Sequence, residues 1–211
     1  MGRQTVPGDG QGRQPANEED QLRGECYALL AGLLCEPPSE SLLALTADID
    51  GDETSMGLAF TALTRTAAQT GTDAVAREFQ DLFIGVGSGE LKPYGSYYLT
   101  GFLYEKPLAK LRHDMAQLGI ARLEDVKEPE DHIASLCEIM AGLISGEFGG
   151  KPGVPADLQT QQWFFQRHLA PWAQLFFTDL EQAASARFYV PVGTIGRLFM
   201  EIETTAFEMA A

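Results

Sequence analysis

A cluster of carboxylates with one histidine stands directly before an apolar stretch of the chain. Residues 128–132 read Glu-Pro-Glu-Asp-His, and apolar residues then recur every three or four positions up to Ile144. Proline fits the first turn of a helix, because the N–H that it lacks would have no partner there. We therefore predict a helix from Pro129, with acidic side chains that stabilise its start and lie at the exposed mouth of a buried helix. Such a cluster, here called the acidic turn (residues 128–132), can receive a cationic ligand.

An aromatic segment is the second candidate site. Residues 85–102 contain several glycines and Pro93, which argue against a regular helix. The same segment carries four aromatic residues, which are Tyr94, Tyr97, Tyr98 and Phe102. A loop with so many aromatic side chains must pack onto its own domain or onto a ligand. We expect the tyrosine loop (residues 93–98) and the acidic turn to face each other across one groove.

Helical patterns account for the rest of the chain. Apolar residues recur at spacings of three and four, and no strand pattern of any length appears. The first helix is predicted from Asn17 to the stop at Pro37, and the acidic turn begins another. The other predicted helices are 39–47, 53–69, 72–85, 105–118, 158–169, 171–186 and 192–209. The fold class is therefore all-α, a single-domain bundle of about nine to eleven helices over residues 17–211, preceded by a disordered tail at 1–16.

Charge and cysteine content narrow the partners and the compartment. The chain has 15 Lys plus Arg against 30 Asp plus Glu, a formal net charge of −15. Such a surface repels nucleic acid and anionic membranes and attracts cationic peptides. The three cysteines form no C-x-x-C pair, and Cys26 and Cys137 fall on apolar helix faces, as expected for reduced thiols. Without a signal peptide or a membrane-spanning run, the chain is expected to be cytoplasmic.

Common catalytic and metal-binding patterns do not fit. Lys92 is followed by proline rather than a hydroxyl residue, so the glycines at 85–89 do not form a phosphate loop. Ser96, Asp131 and His132 offer the residue types of a hydrolase triad, but no nucleophile elbow accompanies them. The carboxylates lie on no scaffold that would set their separation for glycoside chemistry. The histidines lack metal-binding spacing, and the E-x-x-H motif of di-iron proteins is missing. These patterns therefore support no particular enzyme activity and no metal or cofactor, and a small-molecule enzyme that uses His132 stays as a third alternative.

Several motifs together resemble a known family. They are Phe-Gln-Asp-Leu-Phe-Ile-Gly at 79–85, Pro-Tyr-Gly-Ser-Tyr-Tyr at 93–98, the acidic turn, and His-Leu-Ala-Pro-Trp at 168–172. The chain resembles the TorD/DmsD branch of the redox-enzyme maturation chaperones, a superfamily that includes the NarJ type. The likeness runs from about residue 20 to the C-terminus. It implies an all-helical cytoplasmic chaperone that is not an enzyme.

The resemblance also implies a ligand and a site. Members of this family bind the twin-arginine signal peptide of a molybdopterin-containing oxidoreductase subunit and hold it from export until the cofactor is inserted. The residues that match the family's binding positions, with Tyr98 added for its apolar ring, are Pro93, Tyr94, Ser96, Tyr98, Glu128, Pro129, Asp131 and His132. The client oxidoreductase, the choice between monomer and dimer, and guanine nucleotide binding stay open at this stage.

The residues themselves agree with that ligand. Two adjacent guanidinium groups match carboxylates in paired, charge-assisted hydrogen bonds. The acidic residues that supply this counter-charge are Glu124, Asp125, Glu128, Glu130 and Asp131. If they are exposed, replacing Asp131 and His132 by alanine should weaken peptide binding without lowering stability. The alternative is an all-α scaffolding or regulatory module that binds a basic partner helix through its acidic face and does not need Tyr94.

Overall fold

Helices make up the regular structure of the computed structural model, which describes residues 18–85, 88–121, 128–150 and 153–210. Within these ranges the one β pairing is an isolated bridge between Tyr94 and His132. The helices are α1 (Glu18–Cys35), α2 (Glu40–Ala47), α3 (Ser55–Gln69), α4 (Thr72–Phe79), α5 (Gly95–Thr100), α6 (Lys106–Gln117), α7 (Ile133–Ser145), α8 (Leu158–His168), α9 (Ala173–Gln182) and α10 (Tyr189–Met209), with a π-helical turn (Gln80–Ile84) that continues α4. The all-α prediction is confirmed; the predicted tail and the Asn17 cap lie outside the described residues.

Helix α7 lies at the centre of the core and packs along the length of α1. Its sequence is apolar on nearly every side, which is typical of a helix surrounded by protein. Ile133, Cys137, Met140 and Leu143 are fully buried. Helix α10 packs along α9 and α3 and also contacts α1. One hydrophobic cluster joins both groups of helices, so a single core supports the site described below.

Two buried carboxylates hold α10 in place. Glu78 accepts hydrogen bonds from the backbone N–H groups of Phe188 and Tyr189, at 3.0 and 2.9 Å, and so caps the start of the helix. The predicted start at 192 is therefore wrong by three residues, because Pro191 lies in the first turn, where no helical N–H bond is required. Further along α10, Glu203 is wholly buried and binds Arg23 of α1 through two hydrogen bonds of 2.7 and 2.9 Å.

The aromatic segment predicted as an irregular loop contains a short helix. Residues 95–100 form α5, and Gly101 ends it in the left-handed conformation at φ 82°. Gly95 contacts the indole of Trp172 so closely that an added Cβ would lie 3.0 Å from Nε1. The glycines of this segment therefore allow close packing and a helix end rather than preventing a helix.

Two further sequence predictions concern the cysteines and the membrane. Cys26, Cys35 and Cys137 are all free thiols, and burial raises the pKa of Cys137 well above its ordinary value. None of the described helices combines the length and the apolar character that crossing a bilayer requires.

Candidate functional site

The acidic turn precedes α7 and is not its first turn. The helix begins at Ile133, and His132 is its N-cap: the ring Nδ1 accepts a hydrogen bond of 3.1 Å from the backbone N–H of Ala134. The predicted start at Pro129 is therefore wrong, because a capping side chain three residues later takes the role assigned to proline. Burial lowers the pKa of His132 to about 4, so the imidazole is neutral at pH 7.

Most of the acidic turn is buried, which corrects the predicted exposed mouth. Asp131 is 3% and His132 8% exposed, and Glu130 is 9% exposed. Glu130 forms an ion pair with Arg112 of α6, with a shortest distance of 2.8 Å. Glu128 is the acidic residue of the turn that is exposed. The buried carboxylates of this turn therefore bind partners within the protein. Glu124 and Asp125 lie outside the described residues.

The tyrosine loop and the acidic turn are joined directly, without a groove between them. The backbone N–H of Gly95 donates to the carbonyl of Asp131, and that of Ile133 donates to the carbonyl of Pro93, both at 2.9 Å. The carboxylate of Asp131 also accepts the backbone N–H of Ser96 at 2.7 Å. The predicted proximity of the two segments is confirmed. The contact between them is structural, because one buried carboxylate holds the start of α5 against the start of α7.

The side chains of Tyr94 and Tyr98 in the loop also make contacts within the protein. The Tyr94 hydroxyl donates to Glu128, and its ring makes an edge-on contact with His132 at 5.1 Å between centroids. The Tyr98 hydroxyl donates to Asp179 at 2.9 Å, and its ring packs on Trp172. Both rings are partly buried, and burial together with the carboxylate partner raises the pKa of each phenol. These contacts position Glu128 and anchor α5 on α9.

Replacing Asp131 by alanine is expected to lower the free energy of unfolding by about 1–3 kcal/mol, because the buried N–H of Ser96 loses its acceptor. Urea denaturation followed by circular dichroism measures the change. Asp50→Ala, at an exposed aspartate, is the matched control and should leave stability unchanged. A stability of Asp131→Ala equal to that of the wild type would instead support the exposed binding role predicted from the sequence.

A groove of about 900 Å³ runs between α1 and α7, next to the acidic turn. Its floor consists mainly of small side chains, of which Ala28 on α1 is exposed, while Gly142 on α7 is covered by Phe148. Five carboxylates lie along it, and its lining within the described residues contains no lysine or arginine. The floor residues are Gly24, Ala28, Ala31, Gly32, Ala134, Ala141 and Gly142, and the carboxylates are Asp20, Glu25, Glu128, Glu138 and Glu147.

Two of the eight predicted site residues, Glu128 and His132, line this groove. The other six are not among its lining residues: Pro93, Tyr94, Ser96, Tyr98, Pro129 and Asp131. The sequence prediction missed the contribution of α1 altogether. A signal for it exists, since Gly24, Ala28 and Ala31 follow one another at spacings of four and three and mark one face of α1 as small.

The remaining histidines have structural contacts. The Nε2 of His168 lies 2.9 Å from Asp114 of α6, which also binds Arg167. Burial lowers the pKa of His168 although the carboxylate opposes this. His113 pairs with Gln117 one turn away. In the described part of the chain, no three metal-binding side chains are grouped so as to hold a metal ion.

Comparison with known proteins assigns the chain to a family. A family model described as nitrate reductase delta subunit matches residues 49–178, more than half of the chain. The chain is 29% identical over 143 residues to the chaperone protein TorD of Vibrio atlanticus, covering 64% of this chain and 66% of that one. It is 26% identical over 130 residues to the chaperone protein TorD of Vibrio cholerae serotype O1, covering 60% and 59%. The chain thus spans slightly less than two thirds of these relatives.

One solved structure has a similar fold. The crystal structure of a candidate redox enzyme maturation protein from Archaeoglobus fulgidus aligns with a TM-score of 0.52, covering 94% of this chain and 99% of that one at 19% sequence identity. This similarity supports the fold alone. The relatives found by sequence are named as chaperones, which agrees with the prediction that the chain is not an enzyme.

Proposed function

Because the chain belongs to the nitrate reductase delta subunit family, we propose that it is a cytoplasmic chaperone of molybdoenzyme maturation. In this proposal it binds the twin-arginine signal peptide of a molybdopterin-containing oxidoreductase subunit. Binding assists cofactor insertion and holds back export until the subunit is mature. The ligand site is the groove between α1 and α7, and no metal or cofactor takes part.

The carboxylate-lined groove with a floor of small residues is the observation that carries this proposal. A twin-arginine signal joins two guanidinium groups to an apolar segment, and the groove offers a matching surface for each part. Guanidinium groups form paired hydrogen bonds with carboxylates, and an apolar segment gains free energy by covering exposed Ala and Gly surfaces. The overall charge of −15 further accelerates the encounter with a cationic peptide.

The acidic turn contributes Glu128 and His132 to the lining of this groove. Glu128 is held by the Tyr94 hydroxyl, so its carboxylate is oriented before a peptide arrives. His132 uses Nδ1 as an acceptor for the helix cap, so a neutral ring carries its proton on Nε2. That N–H is a donor suited to a peptide carbonyl. Tyr94 therefore acts by positioning Glu128, while Glu128 and His132 make the contacts with the peptide.

The alternative function, a scaffolding module for a basic partner helix, requires the carboxylates but not the floor. An amphipathic basic helix has bulky side chains on its apolar face, whereas the α1 side of the groove is built from Gly24, Ala28 and Ala31. Such a floor suits an extended or small-residue segment that approaches the backbone closely. The groove composition therefore favours a signal peptide over a basic amphipathic helix.

Exchanging both arginines of the peptide for lysine is expected to weaken binding by at least about tenfold, because an ammonium group cannot make the paired contact of a guanidinium with a carboxylate. Calorimetric titration with a synthetic twin-arginine signal peptide and its lysine copy measures the effect. Equal affinity for the two peptides would mean that the site attracts positive charge in general and does not recognise arginine. Absence of binding across several such peptides would favour the scaffolding alternative.

A variant pair locates the binding site in the same assay. Glu138 lines the groove, and Glu201 is exposed on α10, away from it. Glu138→Gln is expected to weaken binding of the twin-arginine peptide severalfold more than Glu201→Gln does, although each substitution removes one negative charge. Equal effects of the two substitutions would mean that net charge, and not the groove, attracts the peptide.

A further inference from the structure

The groove between α1 and α7 has two distinct ends, because the two helices run antiparallel. A Cβ placed on Gly24, near the start of α1, would lie 3.4 Å from Ile144, near the end of α7. We call this the far end. At the other end, here called the turn end, Cys35 closes α1 and His132 caps α7, and both line the groove. An α-helix rises about 1.5 Å per residue, so the stretch from Glu25 to Cys35 spans about 15 Å.

Side-chain direction moves the carboxylates of the two helices toward opposite ends. A side chain on a helix leans toward the helix N-terminus, which is a different end of the groove for each of two antiparallel helices. Glu25 leans in this way, since its carboxylate accepts a hydrogen bond of 2.8 Å from Gln21, one turn nearer the start of α1. By the same rule Glu138 leans toward the turn end. There burial raises the pKa of the Cys35 thiol, and the nearby carboxylates of Glu36 and Glu138 raise it further.

The groove therefore carries two separate pairs of carboxylates. Glu25 and Glu147 lie at the far end, where Glu147 follows the last turn of α7, and Glu128 and Glu138 lie at the turn end. Asp20, the fifth carboxylate of the groove, is already paired within α1. Glu25, Glu138 and Glu147 are exposed and form no ion pair with the described residues, so their charge is open to a ligand. The floor of small residues separates the two pairs.

An unpaired hydrogen-bond donor in the groove is an independent sign that a ligand chain passes there. His132 is 8% exposed and lines the groove. Its Nδ1 accepts the Ala134 N–H, whereas its Nε2 has no hydrogen-bond partner among the described residues and is not fully enclosed. A largely buried N–H without an acceptor is costly, so a peptide carbonyl would stabilise it. The turn end thus offers contacts to a peptide backbone as well as to its cations.

We propose that the groove recognises cationic groups at two places about 15 Å apart, the arginine pair at the turn end and one further lysine or arginine at the far end. The inference rests on the proposed function, since the ligand is the twin-arginine signal peptide. Glu128 and Glu138 pair with the two guanidinium groups. Glu25 and Glu147 hold the further cation, and the apolar residues between the cations cover the floor. The groove thus selects those twin-arginine peptides that carry a second cation beyond an apolar stretch.

The distance between the two ends sets the spacing of the cations in the peptide. An extended chain advances about 3.3 Å per residue and a helix about 1.5 Å. A span of about 15 Å therefore corresponds to about five extended residues or about ten helical ones. Peptides with the further cation at these two spacings cover both conformations.

The test is a calorimetric titration of the full chain with synthetic peptides that all keep the arginine pair and carry lysine or glutamine at either spacing. At one of the two spacings the lysine peptide should bind at least about tenfold more tightly than its glutamine copy. Equal binding of lysine and glutamine copies at both spacings overturns the proposal but leaves the chaperone function in place, because the arginine pair still binds. Failure of all these peptides to bind would overturn both.

Charge-matched variants separate a second site from general attraction of a cationic peptide. Glu25→Gln with Glu147→Gln should reduce the preference for the lysine peptide over its glutamine copy to less than about twofold. Glu53→Gln with Glu201→Gln removes the same charge from exposed positions outside the groove and should leave the preference at about tenfold or more. All four side chains are exposed, so both double variants should fold, as circular dichroism will verify. An equal loss of preference in the two variants would overturn the assignment.

Discussion

Replacing Glu203 by alanine is expected to lower the free energy of unfolding by about 3–5 kcal/mol, the largest loss of stability that we expect from one substitution outside the apolar core. Glu203 is fully buried, binds Arg23 through two hydrogen bonds and accepts a third from the Tyr27 hydroxyl at 2.9 Å. Burial by itself would lower the pKa of Arg23, yet the Glu203 carboxylate raises it. Without that carboxylate, a largely buried guanidinium loses its main counter-charge.

Thermal and urea denaturation of three variants test this prediction. Glu201→Ala, two positions away and exposed on the same helix, should change stability by less than about 0.5 kcal/mol. Glu203→Gln keeps the shape and one acceptor, so its loss should fall between the other two. A Glu203→Ala protein as stable as Glu201→Ala would mean that Asp20, 2.8 Å from Arg23, compensates for the charge alone.

Placing tryptophan at position 28 is expected to weaken signal-peptide binding by about 100-fold. Ala28 is an exposed residue of α1 and forms part of the groove floor, so an indole there fills space that the peptide requires. Because the position is exposed, the folded state should retain its stability. Calorimetry with the twin-arginine peptide measures the affinity, and thermal denaturation measures the stability.

Ala74→Trp is the matched control for that substitution. Ala74 is exposed on α4 and lies outside the groove, so the same indole should leave the affinity unchanged. An Ala28→Trp protein that binds the peptide normally would move the ligand away from α1. Weak binding by both variants would point to a general effect of the added aromatic surface.

The sequence was sufficient to predict the family and the fold class. Apolar spacing identified the core helices, including α7, whose buried residues run from Ile133 to Ile144. The motifs at 79–85, 93–98 and 128–132 suggested the redox-enzyme maturation chaperones, and the family match over residues 49–178 confirms that resemblance. Local patterns are informative about these features because helix periodicity and capping residues depend on neighbours in sequence.

The errors arose where a distant partner decides the outcome. The sequence predicts exposed charges at Glu130 and Asp131, but Arg112 and the backbone of Ser96 bind them from other elements. No periodicity reveals such pairs, because their partners lie 18 and 35 positions away. The groove was missed for the same reason: its two walls, α1 and α7, are far apart in sequence. The eight predicted site residues therefore stay a prediction, with Glu128 and His132 the two that line the groove.

The pairing of α1 with distant helices has a consequence for biosynthesis. The groove needs α7, which begins at Ile133, and Arg23 finds its buried counter-charge 180 residues downstream. A ribosome adds about 5–20 residues per second, so α1 spends several seconds without its native partners. Closing such long loops also slows the folding that follows. The groove therefore cannot form before α7 has been translated, and α1 acquires its buried ion pair only after residue 203 has been added.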